Sequence, residues 1–509
     1  MIAAFMTAFT ASAQTDATLN KVSETYTLNT DGSMEYNYSK VMTYNTHYSF
    51  FSLFGETFVV YNPEYQDLKI NHCYTIQKDG TRVDAPENAF NKVLPKPAAD
   101  APAYNHLTEM VITHTGLELG ATVYLDYTIT TKPGMFESLD IDRTLSVPGA
   151  DIKEYKVTVN IPENRKLTWK LTDSKVRPTV NKGHYTWTFR NLPGGAGEAY
   201  APENSEGLPR LTATTSESLA ASLIPLTMET RDLCRLPSGV LDNTSDDSSK
   251  AQAIQKFIVS GLGNCGVEPE WAGYRNRQCA EILRSAYGTV SEKALAMARL
   301  MRSEGLDAEV IVVYPADAVK SLKTIKNYIV RCNGEYYSAS SVSKIDPALR
   351  SDRDGYYDLQ GNKVEIEAKA RRLSSSTEVT VTKETVLPSH AGYSIYSVPA
   401  GEGVDTWKMR ALHQKRIGMC EVPYMIEEEN SVRINTEGVK WIGKTAEKTI
   451  ENKAGCIRIS ITEDGNGVNV RRYIRLDKSL FTPSEYAALR ELLLAWENRN
   501  FRELVFTVE

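Results

Sequence analysis

Histidine is scarce in this chain, and the middle of the chain has none. The seven residues His47, His72, His106, His114, His184, His390 and His413 leave a gap between residues 185 and 389, so an imidazole working there has to come from another part of the fold. Cysteine is equally spare. Cys73, Cys234, Cys265, Cys279, Cys332, Cys420 and Cys456 show no CxxC spacing, and their odd number leaves at least one unpaired. That reads against a disulfide framework. His72 and Cys73 are the only adjacent soft ligands, but they fall in a strand pattern, where successive side chains point to opposite faces. No metal or other cofactor is expected.

Long apolar runs are missing too. After the first residues, no stretch approaches the roughly 18–20 apolar residues of a membrane-spanning helix. There is no excess of positive charge: a net charge of -6 offers no electrostatic reason to expect nucleic acid. The chain opens with MIAAFMTAFTASAQT, an apolar run followed by Ala11-Ser12-Ala13, which reads as a signal-peptidase site. Residues 1–13 are therefore expected to be a signal peptide, and the mature protein to be periplasmic or extracellular. The usual basic start is missing, which fits a truncated signal, and no Cys follows the site to carry a lipid anchor.

What is present is clearest over residues 287–314, YGTVSEKALAMARLMRSEGLDAEVIVVY. Thr289 and Glu292 form a capping box, in which each side chain satisfies an amide of the first helical turn. Ala294, Leu295, Ala298 and Met301 recur at helical spacing, and Ala296, Met297 and Leu300 extend the apolar surface, so the helix should be largely enclosed. Gly305 is placed for a left-handed helix stop, and Val310 to Val313 form a β-branched run typical of a central strand. Asn333-Gly334 then marks a tight hairpin.

This helix–strand–hairpin order, with Tyr287-Gly288 and Glu292-Lys293-Ala294 at the helix start, resembles the core of the transglutaminase-like (papain-related) superfamily. The resemblance implies a Cys at the helix start, a His on a following strand and an Asp or Asn on the next. Those positions fall here on Val290, Asn327 and Ser338 or Ala339. Valine cannot attack, and asparagine cannot shuttle a proton near neutral pH, whereas the family's chemistry needs a thiolate at a helix N-terminus beside an imidazole. The resemblance therefore implies a pseudoenzyme.

The rest of the chain divides around this core. Residues 14–209 read as many short strands without a helix, with Asp31-Gly32 and Asp79-Gly80 as hairpin turns, which predicts a β-sandwich. With its aromatic strands and the Leu117-Glu118-Leu119-Gly120 entry to a strand, this part resembles the N-terminal module of a bacterial exported family of unknown function. Residues 193–209, rich in Gly, Pro and Glu, are expected to cross to the core domain, 210–370. Residues 371–377, RRLSSST, are expected to link it to a β-rich domain, 371–509, carrying one docked helix that opens at Thr482-Pro483-Ser484-Glu485. The fold class expected is multidomain α+β.

Trp271, Tyr274 and Tyr287 are candidates for an aromatic platform that takes a sugar or peptide, with Asn327 beside them in the groove. Interior packing is the competing reading for each. The leading expectation is a catalytically inactive binding or scaffolding module of the cell envelope, taking a peptide, a glycan or a protein partner. One alternative is an active hydrolase or acyltransferase that uses Cys279 or Ser291 with a His from another domain, although Cys279 lies in a helical pattern beside Ile282 and Leu283, which favours a buried inert thiol. Another is a structural spacer between two β-sandwich interaction domains.

Overall fold

The computed structural model describes residues 15–51, 54–195, 197–202, 208–227, 234–382, 392–407, 415–465 and 467–508. The expected signal peptide lies outside the described residues, as do His390 and His413. The architecture is multidomain α+β, predominantly strand. No helix among the described residues is long and apolar enough to cross a membrane.

Alternating burial builds the first domain. Along Ala17–Leu28 and Met34–Tyr44 apolar side chains alternate toward one face, and these strands sit inside an eight-stranded sheet. Ala17–Leu28 runs parallel to Ala150–Asn160, while the other pairs of that sheet are antiparallel. The two Asp-Gly turns close hairpins, with Gly32 and Gly80 at φ 83° and 91°. Two three-stranded sheets cover one face. Val123 packs in a cluster with Ile141 and Leu211 of one, whereas Leu125 and Tyr127 of the same strand pack with Val59 and Ile112 of the other. Alternate residues of a strand share a face, so both small sheets lie over the same side of the large one, next to each other.

Residues 193–209 do not take the chain out of this domain. Arg210–Thr214 is a strand buried at every residue, paired with both Thr168–Thr172 and Asp140–Thr144. The crossing to the core therefore comes after Thr214, and the described part of the Gly/Pro-rich segment instead touches the C-terminal part, where Glu198 pairs with Arg416 and the Tyr200 carbonyl accepts from Glu421 N. Five residues are too few for alternation to stand out after such a segment.

The central part begins with α1 (Leu219–Thr227), which the sequence reading lacked, and continues with α2 (Asp247–Gly261), α3 (Cys279–Ser285) and α4 (Val290–Ser303). Both halves of the Thr289/Glu292 capping box are formed. α4 packs against α2 and against the strands Ala308–Pro315 and Asn327–Cys332 of an antiparallel five-stranded sheet. Asn333 and Gly334, at φ 48° and 84°, make the hairpin turn as expected.

The C-terminal part has a five-stranded and a three-stranded sheet, with α5 (Pro483–Trp496) docked through Tyr486, Leu489, Leu493 and Trp496. Residues 371–377 are not a linker. They form the first half of the strand Arg371–Thr382, which runs parallel to Ile426–Glu437 at the edge of the larger sheet. An edge strand with few buried residues carries no apolar signature, so its Ser/Thr run reads as a loop.

Candidate functional site

The start of α4 is fixed by charge as well as by its cap. Glu292 is buried and accepts from Thr289 N (2.9 Å), from Arg277 Nε (2.8 Å) and Nη2 (2.9 Å), and from the Tyr104 hydroxyl (2.9 Å). Burial opposes its ionisation, but the Arg277 guanidinium outweighs this and holds the carboxyl below its usual range. One residue on, the fully buried Lys293 donates to Leu262 O and Asn264 Oδ1, both at 2.7 Å. These contacts stitch the helix start to the segments around it.

Three of the positions that the resemblance singles out are occupied as follows. Val290 is 36% exposed at the first turn of α4. Asn327 Oδ1 accepts from the amide of the next residue, Tyr328, at 2.8 Å. Ser338 Oγ accepts from the amides of Ser340 and Ser341, both at 3.1 Å, and Gln255 of α2 donates to the carbonyls of Ser338, Ser341 and Ser343. An apolar side chain, an amide turned on its own backbone and a turn-closing hydroxyl stand there.

The alternative nucleophiles are also engaged. Cys279 is not a free thiol: it is disulfide-bonded to Cys234, with Cα atoms 5.7 Å apart. Two partners 45 residues apart leave no local spacing to read. Ser291 is buried and donates to Asn276 Oδ1 at 2.8 Å. One cysteine does meet a histidine, but in the N-terminal sandwich, where Cys73 Sγ lies 3.9 Å from His114 Nδ1 and Thr57 Oγ1 lies 3.0 Å from His114 Nε2. Burial pushes the thiol up to about 11, and burial with the nearby Lys40 pulls the imidazole down to about 3. Both groups are therefore neutral near pH 7, the reverse of a thiolate–imidazolium pair.

A cleft opens where the core meets the sandwich. Its first lobe, about 520 Å³, lies in the gap between the two small sheets, with Tyr36, Tyr127 and Ile129 of the large sheet among its walls and α1 and residues 270–275 on the core side. A second lobe, about 620 Å³, continues along Arg143, Glu270 and Lys323 to Tyr328. Each falls within the roughly 300–1,000 Å³ usual for ligand sites.

Trp271 and Tyr274 line both lobes. Trp271 is tied to the sandwich through its carbonyl, which accepts from Tyr65 Oη (2.7 Å) and Asn62 Nδ2 (2.9 Å). Tyr274 is only 7% exposed, at φ 57°, with its ring edge-on to Phe136. Tyr287 serves a different contact: its hydroxyl accepts from Ala103 N at 2.8 Å and the Arg277 guanidinium lies 4.4 Å from its ring centre. Asn327 adjoins Tyr328, which lines the second lobe.

The charged groups inside the cleft are held in pairs. Arg143 Nη2 contacts Glu24 at 2.7 Å, and the fully buried Glu24 also accepts from Tyr26 (2.6 Å) and Tyr155 (2.7 Å). Arg210 grips Asp142 through two bonds of 2.5 and 2.6 Å, and Lys323 meets Glu270 at 2.8 Å. Asp140 accepts from Thr214 and Ser138, while burial pushes its carboxyl up to about 6. Sequence reasoning missed these residues because partners such as Asp142 and Arg210 are distant in the chain; the only local sign is charge at positions 140 and 142 around the apolar Ile141. Among the described residues, no group of three His, Cys, Asp or Glu could hold a metal ion.

Comparison with known proteins adds family relations. Residues 30–195 match DUF3857 and residues 393–506 match DUF3858, both described as domains of unknown function with a solved structure. A crystal structure described as a "putative protease" from Parabacteroides distasonis is similar over 97% of this chain and 99% of its own, with 37% sequence identity and a TM-score of 0.80. An M1 zinc metallopeptidase from Deinococcus radiodurans aligns over 50% of this chain and 57% of its own at 10% identity, with a TM-score of 0.22, too low to carry any argument. No curated protein matches.

Proposed function

The chain belongs to the family of the Parabacteroides distasonis protein, and on that premise we propose that it is a non-catalytic binding module of the bacterial cell envelope. The central part is read as a transglutaminase-like core that keeps its frame and has lost its chemistry. The observation that carries this reading is Val290, an apolar side chain at the one helix N-terminus where the resembled family holds a thiolate. The disulfide at Cys279 and the bond from Ser291 to Asn276 support it by engaging the nearest substitutes. The relative's description as a "putative protease" fits descent from a peptide-handling enzyme. Export is supported by the small-residue site at Ala11-Ser12-Ala13 and by the Cys234–Cys279 disulfide, since such bonds persist in oxidising compartments.

The ligand enters the cleft between sandwich and core. A two-lobed opening walled by aromatic and hydrogen-bonding side chains favours binding over a purely structural spacer. Hydrogen exchange of the full chain, with and without a low-molecular-mass extract of bacterial envelope, tests both halves of the proposal. The expected result is slowed exchange at residues 134–143 and 268–275, with every extract component recovered intact. Cleavage of any component, at a rate proportional to protein concentration, would contradict it.

A further inference from the structure

We infer that the ligand of this cleft is an uncharged oligosaccharide, an inference that rests on the cleft being the binding site. The cleft already satisfies its own inner charges. Arg143 is matched by Glu24, Asp142 by Arg210 and Glu270 by Lys323, and Asp140 is capped by two hydroxyls. A charged ligand would have to compete with these counter-charges and would leave one of them desolvated and unpaired, which is costly. Among the described residues, the lining charges without such partners are Glu35, Glu137 and Arg275 of the first lobe and Glu268 of the second, and all four are exposed.

The unmet bonding capacity inside is that of a neutral hydroxyl. Ser222, on α1, lines the first lobe and is 2% exposed, and its Oγ has no hydrogen-bond partner among the described residues. A buried hydroxyl left unpaired costs roughly 1–3 kcal/mol, so the site is relieved by a ligand that carries its own neutral donors and acceptors. The same lobe is lined by Tyr36, Tyr127, Phe136, Trp271 and Tyr274. Aromatic faces beside neutral hydrogen-bonding groups are what the C–H faces and hydroxyl edges of a sugar ring require. A peptide would also present a backbone to such a site, but its termini and charged side chains would meet groups already paired.

Tryptophan fluorescence and calorimetry on the full chain, using maltoheptaose, cellohexaose and chitohexaose alongside Lys-rich, Glu-rich and neutral blocked peptides, decide the matter. At least one oligosaccharide is expected to bind saturably, with an affinity unchanged by salt, since screening acts only on charge. Ser222→Ala, a change that a helix accepts without loss, is expected to weaken that binding about fivefold, the loss of one hydrogen bond. Binding of peptides but of no oligosaccharide overturns the inference and leaves the cleft as the site. Saccharide binding untouched by Ser222→Ala and by Trp271→Ala overturns it by locating the sugar elsewhere. If none of the six probes binds, both the inference and the cleft reading fall.

Discussion

The Tyr104 hydroxyl donates to Glu292 Oε1 at 2.9 Å, so the sandwich reaches into the core and touches the residue that caps its central helix. The same carboxylate faces Arg277, whose side chain is 10% exposed. One acid therefore serves a helix start, a buried ion pair and a domain contact.

Glu292→Gln is expected to destabilise the chain by about 3–5 kcal/mol, because it leaves the Arg277 guanidinium buried without its counter-charge. Tyr104→Phe removes only one bond to a charged acceptor and should cost about 1.5–3 kcal/mol. Urea unfolding followed by circular dichroism gives both values. A ranking in which the tyrosine matters more would contradict the central role given to the carboxylate.

His114 gives the sandwich a pH dependence. Its pKa is pulled from the ordinary 6.5 to about 3 by burial and then by Lys40. A folded pKa below the unfolded one means that the unfolded chain binds the extra proton, so this group's contribution is complete above pH 6.5 and is lost as pH falls toward 3. Between pH 6.5 and 5 the loss is about 2 kcal/mol. His114→Asn should flatten that part of the profile, measured by urea midpoints at closely spaced pH values.

Cys234 and Cys279 close a loop across the entry to the central domain. Alkylation of the unfolded but unreduced protein should label the five remaining thiols and no more. Reduction should lower stability by about 2–4 kcal/mol. Seven labelled thiols before reduction would remove the bond, and with it one of the supports for export.

At the hairpin, Gly334 sits at φ 84° with nothing among the described residues within 4 Å of an added Cβ. Gly334→Ala therefore meets backbone strain alone, and should cost about 1–2 kcal/mol. Asn333→Ala, at φ 48°, should cost a similar amount, since asparagine tolerates that region better than alanine. Thermal unfolding of the two variants checks this.

The elements most legible in the sequence carry their own local instructions. The capping pairs at Thr289/Glu292 and Thr482/Glu485, the Asn333-Gly334 turn and the run Val310 to Val313 all behave as their residue types require. The strands Arg210–Thr214 and Arg371–Thr382 were not legible, since one is very short and the other is a polar edge strand defined by its partner. The same applies to the cleft. Trp271 and Tyr274 could be named from the sequence, but Arg143, Asp142, Glu270 and Lys323 acquire meaning only when β-pairing and domain contact bring distant charges together. Ser222 could not be found at all, because an orphaned hydroxyl is visible only once its neighbours are known.

The central claim is that the core holds no activated nucleophile. The most direct measurement is exposure of the folded wild-type chain to an alkyne-tagged vinyl sulfone and a fluorophosphonate, followed by intact mass and mapping of any adduct. The account predicts no saturable, stoichiometric label on any cysteine or serine of residues 215–370. A single stoichiometric adduct at Ser291, Cys265 or Cys332 that forms faster than on the unfolded chain would return this protein to the enzymes.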